Sequence, residues 1–558
     1  MAHRHRSWSG LFIVLACACA WLVVPVYTQR GGAALISIDD LRAWLSVVAS
    51  DSAQGREIFT EGAAIASSYL ADELRRNGIE PAGDNGTYFQ EVKVRGVRTR
   101  GTSSVTVTVR GQSRTFRDGE GVRFPRYQGT KRVVTGRVQF VGYGVEFAPL
   151  NQHDYAGRDV RDTVVLYLGR GPSSFTDREN RVLNGRGDEA TLVRGASAAI
   201  GPSAPPGVNA NGGGGGRGPR PDFQTSQNLD APVAPRLTAE DEFFSFVFGT
   251  ASHDYKDIKA RADRRETLPR VDLGDVRISI NIEADYDVVQ TRLSRNVVAR
   301  VLGSDPVLRD TYVIYGAHYD HVGIADTPNA NLPGLDGMCP GLKRNTPRPG
   351  DIVFNGADDD GSGTVTLLAL AKAYTSGPKP KRSVLFVWHT GEEAGLYGSE
   401  YMADFPVVPL SRVAAQLNID MIGRNKCDDP AEANSLFLVG SDRISTELHQ
   451  VNEQANAALA RPLTLDYTLN DPADVEALYT RSDHYSYAAK GVPIIFFTTG
   501  LHSDYHALTD EVDKIQFEKM ARIAQLVYET GWRVANLDHL PVRDNRGPRS
   551  ITRTQSAR

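Results

Sequence analysis

The chain is poor in cysteine, with four in 558 residues, which excludes a fold held together by a disulfide framework. It has no excess of either charge: 63 Lys and Arg stand against 67 Asp and Glu, leaving a formal net charge of −4. That balance gives no electrostatic reason to expect nucleic acid or an anionic membrane as partner. Long apolar runs are missing except for one near the N-terminus, so no second hydrophobic span is available. No internal repeat is visible.

The one apolar run, Leu11 to Val26, follows a basic start, His3-Arg4-His5-Arg6, and precedes Thr28, Gln29 and Arg30. This is the layout of a secretory signal peptide over residues 1–28, cut at Ala18-Cys19-Ala20 or near Thr28. A retained signal anchor is the competing reading, for which the run is just short. The run continues past Cys17 and Cys19, which argues against a lipid-modified cysteine. The mature protein is therefore expected to be secreted or periplasmic, with no stable membrane span. Only Cys339 and Cys427 remain in it. An oxidising compartment allows them to pair, and two separate thiols fit the sequence equally well.

Hydrophobic residues at 41% and charged residues at 23% are ordinary for a soluble protein. The length exceeds one hydrophobic core, so two folded domains plus tails are expected. Residues 31–125 open with helical spacing (Leu41, Leu45, Val48 behind an N-cap at Ser37) and a second helix from about Ala63 to Asn77. They then change to alternation, as in Ser104-Val105-Thr106-Val107-Thr108-Val109. Residues 126–285 read as a separate β-rich unit containing a glycine-rich stretch, 201–221, which cannot bury a core and is expected to be disordered. Its glycine run lacks the Lys-Ser/Thr of a phosphate loop. From about 286 to 541, strands and helices alternate, which predicts an α/β domain with a mixed, mostly parallel sheet sandwiched by helices. Residues 542–558 are Arg-rich, lack apolar periodicity and are expected to be a disordered tail.

In such sheets chemistry collects beyond the carboxyl ends of strands. Those positions carry His318-Tyr319-Asp320-His321, Asp358-Asp359-Asp360, Glu392-Glu393, Asp420, and His502-Ser503-Asp504-Tyr505-His506. Each cluster alone has a bland reading, such as a surface pair, an N-cap or a complement to a helix dipole. Together they deliver only imidazoles and carboxylates. Three adjacent carboxylates repel unless a cation neutralises them, and mixed imidazole and carboxylate donors suit zinc. Ser482-Asp483-His484 is a poor serine triad, because three consecutive residues rarely converge.

These residues resemble the peptidase family M28 of co-catalytic zinc aminopeptidases. The resemblance rests on His318-Tyr319-Asp320, Gly356 to Gly363, Glu392 to Ser399, Asn418-Ile419-Asp420-Met421 and His506-Ala507-Leu508-Thr509-Asp510. Pro81 to Thr87 is similar to the N-terminal part of that family. Gly142-Tyr143-Gly144-Val145 and Asp154 to Val160 resemble a protease-associated insert. The resemblance implies two Zn2+ ions, with His318 and Asp420 on one, Glu393 and His506 on the other, and Asp359 bridging. It makes Glu392 the general base acting on a metal-bridging water. Asp320 would accept the free N–H of His318. His506 is preferred to His502 on the family pattern, and Tyr505 beside it would hydrogen-bond the oxyanion. His321 and His389 are assigned supporting roles. The implied function is a secreted exopeptidase removing N-terminal residues from peptides. A carboxypeptidase or dipeptidase, a glutaminyl-cyclase-like enzyme and a non-catalytic receptor-like protein are the alternatives on the same scaffold.

Overall fold

A computed structural model of the protein describes residues 32–125, 128–176, 179–203, 222–225, 229, 232–326, 339, 342–471, 474 and 476–544. The expected signal peptide, most of the glycine-rich stretch and most of the C-terminal tail lie outside these residues. Two units are present: a ten-stranded mixed sheet covered by helices and a closed eight-stranded barrel.

The centre of the sheet is formed by the strands Tyr312–His318, Ser383–His389, Val413–Ile419 and Ile494–Thr498, all parallel to one another. They are apolar almost throughout and nearly every residue is buried, as expected of strands covered on both faces. The two faces are separated by the period-two alternation of the strand. Val313, Tyr315 and Ala317 join the core under the helices Ile38–Val48, Glu61–Arg76, Gly363–Ser376 and Phe517–Asn536. Ile314 joins the smaller core on the other face, with Met402 and Tyr487. The first helix starts where the sequence predicts: the Ser37 hydroxyl accepts the N–H of Asp40, and Asp39 and Asp40 complement the helix dipole.

Antiparallel strands flank this parallel centre. Asp285–Val301 pairs with Ser383–His389 on one side and with Phe89–Arg100 on the other. The last two run together from Phe89 opposite Val297 to Arg100 opposite Asp285. They form a stalk through which the chain leaves the sheet and returns, and the short strand Asp222–Thr225 of the inserted stretch pairs along its Phe89–Arg100 edge. The barrel lies between its ends.

The boundary expected at residue 126 is displaced. Ser104–Val109, Gln112–Asp118 and Gly121–Arg123 are barrel strands, so the insert runs from about residue 104 to 282. Val105, Val107 and Val109 point into the barrel core with Phe116, Phe140, Ile278 and Ile280, beneath Phe243 and Phe244 of the helix Asp241–Val247. The error has a simple cause: sheet and barrel strands share the same alternation. The only punctuation between them is Gly101, with φ of 84°.

Because Arg100 and Asp285 are direct partners, replacing residues 101–284 by a two-residue Asn-Gly turn should leave a foldable sheet domain that lacks only the edge strand Asp222–Thr225. Calorimetry of the excised protein should show one melting transition near that of the intact sheet domain. Loss of cooperative melting would show the barrel to be integral to the sheet's stability.

Candidate metal centre

Every candidate residue sits at the carboxyl edge of the parallel strands. His318 is the last residue of its strand, Asp420 follows Ile419, and Glu392 and Glu393 follow His389 by a turn through Gly391 (φ 69°). Asp359 lies in the irregular turn Ala357–Ser362 that leads into the helix Gly363–Ser376. His506 lies in the loop after Ile494–Thr498.

The structure brings all six together. His318 Nε2 is 3.3 Å from Asp359 Oδ1 and 3.7 Å from Asp420 Oδ2. His506 Nε2 is 3.2 Å from Asp359 Oδ2 and 3.0 Å from Glu393 Oε2. The two oxygens of Asp359 thus face two different donor sets. Glu392 Oε2 reaches 3.9 Å from His318 Nε2. Ligand atoms of His318, Asp359 and Asp420 lie within 4.8 Å of one another, and so do those of His321, Asp359 and Glu393. Two imidazole-and-carboxylate sets sharing one carboxylate fit zinc in donor chemistry.

Residues 296–531 match the profile of peptidase family M28. The chain carries an M28 peptidase domain. Over 239 residues it is 28% identical to a probable leucine aminopeptidase of Arthroderma otae, covering 41% of this chain and 56% of that one. Over 134 residues it is 34% identical to a probable zinc metalloprotease of Pyrenophora teres f. teres, covering 24% and 23%. The chain therefore spans about half the length, or less, of these curated relatives. Among solved structures it is similar to the aminopeptidase from Aneurinibacillus sp. strain AM-1, at 17% identity and a TM-score of 0.46, over 94% of this chain and 100% of that one.

The electrostatics of the M28 site are those of a place built for cations. Burial works against charge on every group, yet the imidazoles of His318 and His506 hold the Asp359 carboxyl well below its ordinary value. Glu393, also buried, is held down to about 2 by His506 and His321. In return, against burial, Glu393 and Asp359 push His506 up to about 10. Burial, with the neighbouring Glu393 and Asp420 carboxylates, pushes Glu392 well up. Metal ions on these donors would compete with protons, so affinity would fall as pH falls.

The triple aspartate divides its labour. Only Asp359 faces the cluster. Asp360 accepts the N–H groups of His318 (3.1 Å), Gly363 (2.9 Å) and Met421 (3.3 Å). Asp358 accepts from Gly423 N–H at 2.6 Å and lies 3.2 Å from His502 Nε2. His502 is thus turned away from the cluster, and His506 is the histidine in it. Asp320 differs from expectation: His318 Nδ1 bonds its backbone carbonyl at 3.0 Å, while its carboxylate, 3.9 Å off, accepts the N–H of Glu392 at 3.2 Å. The backbone carbonyl of Asp320 thus orients the His318 ring, and its carboxylate instead holds the backbone of Glu392. Ser482, Asp483 and His484 diverge, to Asp420 Oδ2 (2.7 Å), His389 Nδ1 (3.3 Å) and the Tyr479 carbonyl (2.8 Å). Tyr505 stacks on His506, ring centroids 3.9 Å apart, with its hydroxyl 3.4 Å from Arg481 Nη2.

Sequence reasoning gave His321 only a supporting role, and the structure puts its Nδ1 2.8 Å from Glu393 Oε1. It named Asp510 only as the end of a motif, with no role, and missed Arg56 altogether. The Asp510 carboxylate accepts the N–H groups of Asp358 and Asp359. Arg56, fully buried, donates to the carbonyls of Tyr319 (2.8 Å), Val48 (2.8 Å), Asn355 (2.6 Å) and Gly356 (2.9 Å). It fastens the N-terminal helices to the loops bearing His318 and Asp359. No local motif marks it, because its partners lie up to 300 residues away.

The space beside the cluster is small, about 40 Å³, with walls that include Met421, Leu478, Phe496 and Leu501. A larger cleft of about 1080 Å³, bordered by Phe59, Arg292 and Arg295 at the foot of the stalk, includes none of the six residues. The chemistry belongs to the smaller one. Arg56→Met should leave several buried carbonyls unpaired and destabilise the protein by about 3 kcal/mol or more. Urea denaturation of the two proteins measures this, and a loss under about 1 kcal/mol would remove Arg56 from the list of organising groups.

Proposed function

We propose that the protein is a secreted exopeptidase that holds two zinc ions and removes N-terminal residues from peptides. The observation that carries this reading is the Asp359 carboxylate, which turns one oxygen to His318 and the other to His506. His318 and Asp420 would hold one ion, His506 and Glu393 the other, and Asp359 would be shared. Bound zinc supplies Lewis acidity and brings the pKa of a water toward neutrality.

The chain's own residues do the rest. Glu392 is anchored through its N–H to Asp320 and presents its carboxyl beside His318. From there it takes a proton from the attacking water and delivers it to the leaving amine. Burial and the Asp359 carboxylate push the Tyr505 hydroxyl well above its ordinary value, so it stays a donor, aimed with Arg481 at the side where an oxyanion would form. The cavity is small and sets Met421, Leu478, Phe496 and Leu501 beside the charged cluster and Arg481, and so confined a space favours a chain end over an internal segment. Ser482 holds Asp420 in place.

Secretion is supported by the N-terminal run and by the disulfide Cys339–Cys427, whose Cα atoms are 5.4 Å apart. No described helix is long and apolar enough to cross a membrane. The inserted barrel is read as a protease-associated domain on the motifs around Gly142 and Asp154.

The mature protein should bind two zinc ions per chain and cleave free aminoacyl-anilides but not N-blocked peptides. Turnover confined to blocked substrates would overturn the aminopeptidase assignment. Glu392→Gln should retain zinc at native stoichiometry while kcat falls by about 10²–10⁴-fold. Activity within tenfold of native would move the base elsewhere.

A further inference from the structure

The loop that carries His506 is gripped from outside by a segment with no part in the site described so far. Residues 342–345 lie against it. Arg344 Nη1 donates to the carbonyl of Tyr505 at 2.9 Å and reaches that of His506 at 3.4 Å. Asn345 Nδ2 donates to Asp504 Oδ1 at 2.7 Å and to Ser503 Oγ at 3.2 Å. One turn back along the chain, Cys339 is bonded to Cys427. Cys427 in turn donates its N–H to the carbonyl of Leu501 at 2.7 Å. The strap is therefore tied at both ends to the stretch 501–506.

His506 needs such a grip. Its φ is +50°, a left-handed conformation that side chains other than glycine rarely adopt and that persists where the surroundings over-determine it. On the inner side the loop is also fixed: Asp504 accepts from Thr509 at 2.6 Å and lies 3.0 Å from both Arg424 and Lys514. Those contacts hold Asp504, not the two residues after it. The described hydrogen bonds to the carbonyls of Tyr505 and His506 come from Arg344.

We propose that Arg344 is a positioning residue for the metal donor His506, acting from a strap anchored by the Cys339–Cys427 disulfide. It fixes the backbone on either side of the imidazole, so that Nε2 sits between Asp359 and Glu393. The effect is local to one half of the site. His318 and Asp420 stand at strand ends in the rigid centre of the sheet, and no described hydrogen bond joins them to the strap. This rests on the metal ligation proposed above. Donor-orienting groups of this kind are worth about ten- to a hundredfold in metal affinity when lost.

The test is a zinc titration of the full mature protein against a chromophoric chelator, which resolves the affinities of the two ions. Arg344→Ala should bind the first ion as the native protein does and the second about ten- to a hundredfold more weakly. Arg344→Lys should restore part of that loss, since an ammonium can still reach the carbonyls. The double variant Cys339→Ser/Cys427→Ser should weaken the second ion alone. Should Arg344→Ala not fold, Arg344→Gln carries the same test, its amide being too short to reach. Native affinity for both ions, or equal weakening of both, overturns the proposal. A native protein that binds no zinc would instead overturn the metal reading on which it rests.

Discussion

Four carboxylates and the imidazoles of His318, His321 and His506 meet in a largely buried pocket, and the architecture around them follows from keeping that charge in place. Asp359, Glu392, Glu393 and Asp420 cannot all be ionised there unless positive charge lies among them. The imidazoles can supply part of it, and divalent cations would supply it more completely. The neighbours are arranged so as not to worsen the problem. Asp358 and Asp360, adjacent in sequence to Asp359, turn away and accept backbone N–H groups. Asp510 does the same from below, and the Arg56 guanidinium brings a buried cation to the underside of the same loops.

Rigidity comes from where these groups are mounted. His318 ends one strand and Asp420 follows the next, parallel to it; the two strands are in continuous register from Val313 to Gly316, and burial on both faces leaves them no alternative pairing. The other groups come from loops, each tied down in its own way: Asp359 by Asp510, the base Glu392 by Asp320 and Glu393 by His321, while Arg344 bonds the loop of His506. A site assembled from strand ends and pinned loops combines precision with freedom to vary the walls.

Much of this was legible in the sequence. The alternation of strands and helices after about residue 286 followed from apolar runs, and the start of the first helix from its cap at Ser37. The six charged or imidazole residues of the cluster were visible because their types are chemically unusual after apolar strands. What could not be read has a physical reason in each case. Arg56 acts through backbone carbonyls, which carry no sequence signal. The barrel's first strands look like sheet strands because both alternate with period two. The division of Asp358, Asp359 and Asp360 into one inward and two outward carboxylates depends on a turn conformation that three identical residues cannot reveal. The pairing of Cys339 with Cys427 required knowing that the chain returns to the same place after 88 residues.

The stalk also sets an order of events during synthesis. The helices Ile38–Val48 and Glu61–Arg76 are made first, but the surfaces they cover are supplied by Tyr312–His318, Gly363–Ser376 and Phe517–Asn536. Between them the ribosome must produce an entire barrel. That barrel has a closed core of its own and can fold while the early helices still wait with their apolar faces uncovered. Non-local pairing of this kind makes folding slow and exposes sticky surface. The last long helix, arriving some 480 residues after the first, is what finally closes the domain, so a chain truncated before Phe517 would be left holding most of a hydrophobic core open to water.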